Sequence, residues 1–158
     1  GLTDWVQRLD QSKSALHDPV SGSANITLRH EVDQVHEVLI DFAFQYTDSF
    51  DQTWSSYVNT VETPDGGSHV LAMKSAIANS VDPRLSLPTM SSGLSGIIHV
   101  LHPMPRFESP IKSKLLVTAE LYGAVSEVVF RTMQHLPSNT RKAIAQKFEA
   151  NRRALGGG

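Results

Sequence analysis

Lys112 and Lys114 stand two positions apart in the run Pro105-Arg106-Phe107-Glu108-Ser109-Pro110-Ile111-Lys112-Ser113-Lys114-Leu115. A lysine on a loop is a compact, flexible cation that can reach a terminal phosphate. Two solvated loop lysines are the ordinary alternative. Earlier in the chain, Ser56-Tyr57-Val58-Asn59-Thr60-Val61-Glu62-Thr63-Pro64-Asp65-Gly66-Gly67-Ser68-His69 carries a glycine pair. Glycine permits positive φ and close backbone approach, and a helix starting just beyond it can receive an anion. A lone Gly-Gly is more often a plain turn. The third candidate is the C-terminal stretch, where Arg141, Lys142, Lys147, Arg152 and Arg153 face Glu149 alone. Such a stretch suits phosphate contacts that give affinity without reading sequence. It also fits an ordinary solvated helix face.

Other chemistries are excluded or unsupported. Cysteine is absent, which removes disulfides, thiolate metal sites and a cysteine nucleophile and is compatible with a reducing cytosol. Of the seven histidines, His99 and His102 bracket Val100-Leu101, an odd separation that puts them on opposite faces of a strand. His30 and His36 lie near acids at a spacing that fits no standard metal site. No metal site is therefore expected. There is no Ser/His/Asp arrangement and no Gly-x-x-x-x-Gly-Lys phosphate cradle. No apolar run approaches the roughly 20 residues of a bilayer span, and the N-terminus lacks a basic-then-apolar signal pattern, so no membrane partner is expected.

The elements that must position these residues follow from periodicity. The 158 residues suffice for one domain with a core, and 40% are hydrophobic. The net charge of −2 hides an asymmetry: residues 1–70 hold 3 of the 14 Lys/Arg and 11 of the 16 Asp/Glu, leaving 11 Lys/Arg against 5 Asp/Glu beyond. The C-terminal half is thus the candidate for meeting a polyanion. Thr3 to Leu9 reads as a short helix capped by Thr3, and Asp10 to Asn25 as loop. Val35 to Tyr46 alternates, with Val38, Ile40, Phe42 and Phe44 on one side, and reads as a half-buried strand. Thr53 to Val61 is β-branched and aromatic, and with the preceding strand most simply forms an antiparallel hairpin. Ser68 can cap a helix from His69 to Ser80. Residues 82–92 read as irregular, Gly93 to His102 as a strand buried on both faces, and His102 to Val117 as loop. Thr118 can cap a helix to about Leu136, and Ser138 another to about Leu155, anchored by Ile144 and Phe148. The final glycines, residues 156–158, read as a linker or a cloning remnant.

The order and spacing of the two motif runs resemble the transducer domain of the ATPase subunit of bacterial type IIA DNA topoisomerases, the GyrB and ParE proteins. There the glycine-pair run has the form Val-Asn-x-Ile-x-Thr-x-x-Gly-Gly-Thr-His, which this chain matches almost residue for residue with Ser68 for threonine. The lysine run has the form Pro-x-Phe-x-Gly-Gln-Thr-Lys-x-Lys-Leu. Its ATP-contacting lysine falls on Lys112, and its other, less clearly functional lysine on Lys114. The family's phosphate-contacting glutamine is Pro110 here, and the threonine is Ile111. Proline cannot donate a hydrogen bond, so one of two phosphate contacts is missing.

The resemblance covers residues 1–155 as one transducer domain. It implies an α+β fold: a mostly antiparallel four-stranded sheet backed by helices, ribosomal-protein-like, with a left-handed βαβ crossover. The fourth strand is expected near Asn25 to Arg29. The implied role is to complete the ATP site of a preceding domain with the lysine loop and to relay ATP binding and hydrolysis to DNA strand passage in an ATP-hydrolysing isomerase. Mg2+ belongs to the full enzyme and is not bound by this stretch, which carries no catalytic residue and should be inactive alone. The implied partners are double-stranded DNA, a GyrA/ParC-type cleavage subunit and a second GyrB/ParE-type chain paired through the ATPase domain, in the cytoplasm. Arg141, Lys142, Arg152 and Arg153 are the candidate DNA contacts. Two alternatives stay open: the middle domain of a MutL-type ATPase, and a degenerate, non-catalytic interaction module, which Pro110 favours.

Overall fold

The protein is described by a computed structural model covering residues 1–31, 34–59, 61–63, 67–101, 106–107, 115–116 and 119–156. Helix α1 (Leu2–Leu9) leads through a turn-rich connection to β1 (Val20–Glu31) and β2 (Gln34–Tyr46). Then come β3 (Thr53–Val58), β4 (Val61–Glu62), α2 (Ser68–Val81), α3 (Leu87–Ser91) and β5 (Leu94–Leu101). The short strands β6 (Arg106–Phe107) and β7 (Leu115–Leu116) precede α4 (Ala119–Gln134) and α5 (Ser138–Ala154).

The main sheet has the order β1-β2-β5-β3-β4. All its pairs are antiparallel except β3 with β5, which run parallel from Thr53↔Ser95 to Val58↔Val100. A parallel pair needs a crossover, and here α2 and α3 supply it. The fold is therefore α+β with four long strands and a mostly antiparallel sheet, as expected, plus the two-residue β4.

The expected hairpin between the strand segments at Val35 to Tyr46 and Thr53 to Val61 does not form. β5 lies between β2 and β3, pairing Phe42 with Ile98 on one side and Ser56 with Ile98 on the other. The physical reason lies in β5 itself. Its run Leu94-Ser95-Gly96-Ile97-Ile98 is buried throughout, and a strand apolar on both faces gains most in the middle of a sheet. The stretch expected to be loop up to Asn25 is also corrected, because β1 starts at Val20. Its inward positions Val20, Ala24 and Ile26 pack on the core, while Ser21, Ser23, Asn25 and Thr27 face outward and are exposed. An edge strand can carry such a polar face, and this composition mimics a loop.

Three expected caps sit one or two positions inside their helices. Gly1, Gly67 and Pro137 precede α1, α2 and α5 at the capping position, and Thr3, Ser68 and Ser138 are already helical. Thr118 lies outside the described residues. The irregular segment 82–92 contains α3, which Ser86 caps by accepting from the Thr89 amide at 3.3 Å.

One face of the sheet buries Ile40, Phe42, Phe44, Tyr46, Val58, Ile98 and Val100 against Met73 and Ile77 of α2, Val125 and Val129 of α4, and Ile144 and Phe148 of α5. On the other face α1 places Val6 against Ala43 and Ile97. Among the described residues no helix is long and apolar enough to cross a membrane.

Candidate functional site

The glycine-pair run closes β3 onto β4 and opens α2. Ser56 Oγ donates to the Thr63 carbonyl at 2.7 Å and lies 2.6 Å from Thr63 Oγ1, while the Thr63 amide donates to the Ser56 carbonyl at 2.8 Å. These bonds fasten both ends of the turn. Asn59 takes φ +50°, which asparagine tolerates. Gly67 has φ +147°, a conformation that a Cβ would strain, so the latter glycine of the pair is required by the backbone. Gly66 lies outside the described residues.

His69, two residues on, is fully buried. Among the described residues neither ring nitrogen has a hydrogen-bond partner. Burial pushes its pKa down to about 4, so the ring is neutral near pH 7. The sign of the linkage is that of a depressed histidine. The unfolded chain takes up a proton below about 6.5 and the folded one only near 4, so stability falls as pH drops through that window. The expected loss between pH 7.5 and 4.5 is about 2–3 kcal/mol from this residue. His17, whose pKa burial also lowers, adds in the same direction. Urea unfolding of the wild type and His69→Gln at both pH values checks this. An equal pH dependence in the two proteins would remove His69 as the source.

Lys112 and Lys114, with Pro110 and Ile111, lie outside the described residues. Their flanks are placed: β6 pairs antiparallel with β7 through Arg106↔Leu116 and Phe107↔Leu115, and β7 packs against α2. The two motif runs, far apart in sequence, thus meet at α2.

The basic stretch resolves into two kinds of residue. Arg141 turns back and donates to the carbonyl of Met133 at the end of α4. Arg152 is half-buried, bonds Asp82 at 2.7 Å and also pairs with Glu149. The Asp82 carboxyl is held below its usual range by the Arg84 amide first and Arg152 next. Lys147 is buried too: its Nζ donates to the Ser49 carbonyl at 2.8 Å and lies 4.6 Å from the Phe50 ring centre. Its pKa is lowered by burial. Lys142 and Arg153 remain exposed. They are eleven positions apart, about 20° around a helix and some 16 Å along it, so they share one face. Of the four candidate DNA contacts, the structure leaves these two presented together to solvent and ties Arg141 and Arg152 into the domain.

Sequence reasoning missed Lys147 and Asn151 as structural residues. Asn151 is fully buried and donates from Nδ2 to the carbonyls of Thr89 at 2.8 Å and Ser92 at 2.9 Å. The signal was present, because Ile144, Lys147, Phe148 and Asn151 recur at i, i+3, i+4 and i+7. Among the described residues no group of three His, Cys, Asp or Glu side chains is assembled that could hold a metal ion.

A mixed sheet with this crossover and the Gly67 turn at the start of α2 defines an α+β domain. Residues 1–154 match the DNA gyrase B family, and the chain belongs to that family. It is 33% identical to the DNA gyrase B protein of Thermotoga maritima over 129 residues, which cover 73% of this chain and 20% of that protein. It is 31% identical to the B subunit of DNA topoisomerase 4 of Staphylococcus aureus over 146 residues, 82% of this chain and 20% of that one. The 43K ATPase domain of Thermus thermophilus gyrase B, solved with an aminocoumarin, superposes with a TM-score of 0.73 at 26% identity. That match takes in 99% of this chain and 46% of the other. The chain therefore spans about a fifth of the length of these two curated relatives.

Proposed function

We propose that residues 1–155 are the transducer domain of the GyrB/ParE-type chain of a type IIA DNA topoisomerase. The carrying observation is that almost all of this chain superposes on under half of a gyrase B ATPase domain. In this reading a preceding domain binds ATP, and Lys112 completes its site with one cationic contact to the terminal phosphate. The donor set fits a polyphosphate, since the run between Arg106 and Leu115 holds three basic residues and one acid. Lys114 contributes less. Mg2+ accompanies the nucleotide in the full enzyme. Two GyrB/ParE-type chains pair through their ATPase domains, a GyrA/ParC-type subunit cuts duplex DNA, and the domain shifts as a rigid body to relay the nucleotide state, all in the cytoplasm.

The test is ATP turnover of the full-length subunit. Lys112→Ala should lower it about tenfold or more, because a charge-assisted contact to the transferring phosphate is lost. Lys114→Ala should do less. Near-normal turnover in both would favour the alternative of a non-catalytic interaction module, which the replacement of the family's glutamine by Pro110 supports.

For DNA, Lys142 and Arg153 are the proposed phosphate contacts. Changing both to glutamine should flatten the log–log salt slope of binding by roughly 0.9 for each contact removed. Arg141→Gln should instead lower stability by leaving the Met133 carbonyl without its side-chain donor, and Arg152→Gln, to a smaller extent, by removing an ion pair from Asp82, which keeps Arg84. An unchanged slope in the Lys142/Arg153 variant would take α5 out of the DNA-facing surface.

A further inference from the structure

We infer that the cleft between the α1–β1 connection and the end of β2 is a binding site for an organic cation carrying N–H donors, a guanidinium or primary ammonium head group. Two buried acceptors without donors point to it. Asp10 follows α1 and is 3% exposed. Its Oδ1 accepts from the Ser95 hydroxyl at 2.6 Å, and its Oδ2 has no hydrogen-bond partner among the described residues. Gln45 is 4% exposed. Its Nε2 donates to the His17 carbonyl at 2.8 Å, which fixes the amide orientation because a carbonyl can only accept. Gln45 Oε1 is then left without a donor.

The sheet brings the two together. Gln45 and Ser95 are directly opposite on β2 and β5, so the carboxylate docked on Ser95 lies beside the Gln45 amide. Asp10 and Gln45 line one cleft of about 450 Å³ with Gln7, His17, Asp18 and Asn139. A further cleft of about 520 Å³ adjoins it through Asp18 and Asn139. Among the described residues no lysine or arginine lines either.

His17 cannot supply the missing donor. Its Nε2 accepts from the Tyr46 amide at 3.0 Å, and its Nδ1 then donates to the Asp18 carbonyl at 2.6 Å. A hard divalent ion is a poor match, because two unpaired oxygens fall short of the six or more that such an ion collects. The cleft volume lies in the range of organic ligands. A cationic N–H donor satisfies a carboxylate and an amide oxygen at once, with the stronger charge-assisted bond to Asp10. The head group could be a free organic cation or an arginine side chain of another polypeptide segment.

The test is an NMR titration of the ¹⁵N-labelled 158-residue chain at constant ionic strength. Methylguanidinium and the tripeptide acetyl-Gly-Arg-Gly-amide are added in parallel. Saturable shifts are expected at the Gln45 side-chain amide and at the backbone of residues 7–18. Asp10→Asn keeps an acceptor for Ser95 but removes the charge, and should weaken binding about tenfold. Asp18→Asn, at the exposed rim, should weaken it about twofold to threefold. If Asp10→Asn does not fold, the wild type and Asp18→Asn still decide. Tighter binding of the tripeptide identifies a polypeptide arginine, and equal affinities identify a free cation. The inference is overturned by no saturable shift up to about 50 mM. Unchanged affinity in a folded Asp10→Asn, or the same shifts from KCl or MgCl2 at lower concentration, would overturn it equally.

Discussion

Tyr46→Ala is expected to lower the unfolding free energy by about 3–5 kcal/mol, a large share of the roughly 5–15 kcal/mol typical of a domain. Tyr46 is fully buried at the end of β2 and joins three elements. Its hydroxyl donates to the Met90 carbonyl of α3 at 2.6 Å. Its ring meets Phe148 of α5 edge-on at 5.4 Å and Phe44 of its own strand at 6.2 Å. Burial pushes the phenol pKa well above its ordinary value, so the hydroxyl stays a donor at every working pH. Alanine removes the ring and leaves a cavity where sheet, α3 and α5 meet. Tyr46→Phe separates the two contributions: it keeps the ring and strands the carbonyl, at a cost of about 1–3 kcal/mol. Urea midpoints measure both. A Phe variant as unstable as the Ala variant would mean that the hydrogen bond, and not the ring packing, holds α3 in place.

Gly93→Ala is expected to cost roughly 2–5 kcal/mol, from backbone strain together with overpacking. Gly93 has φ +82°, and a Cβ there would lie 2.5 Å from the Ser49 carbonyl oxygen and 2.6 Å from Lys147 Cε. The lysine stem could move, but the carbonyl is backbone and also accepts the Lys147 ammonium. The Gly93 carbonyl in turn accepts the Thr47 amide at 3.0 Å. The substitution therefore disturbs the entry to β5, the loop after β2 and α5 together. Lys147→Ala should not rescue Gly93→Ala, since the clash with Ser49 and the positive φ both persist. Rescue, read as a recovered melting temperature in the double variant, would show that the lysine stem is the real obstacle.

Much of this protein was legible in its sequence where the information is local. The alternation from Val38 to Phe44, the stripe through Ile144 and Phe148, and the Gly66-Gly67 pair before a helix each depend on neighbours within two turns or one strand. The Gly67 conformation and the burial of Ile144 and Phe148 follow from that local order. The apolar run within Gly93 to His102 announced a strand buried on both faces, and Leu94 to Ile98 are buried throughout.

What the sequence could not supply is who lies beside whom. Nothing within Thr53 to Val58 says that β5, reached only after two helices, will displace the nearer β2 as its neighbour. Pairing is decided by which strand gains most from a central position in the whole sheet. Polar Ser21, Ser23 and Asn25 resembled loop because their composition does not show that they line the solvated face of a sheet whose other face is packed. The charge count of α5 was readable, but the use of each charge was not. Arg152 meets Asp82 from 70 positions away and Lys147 meets Ser49 from 98, while Lys142 and Arg153 stay in solvent. A cation's availability depends on the partner that tertiary folding brings to it, because burial without a partner is costly and a paired charge has little left to offer a ligand.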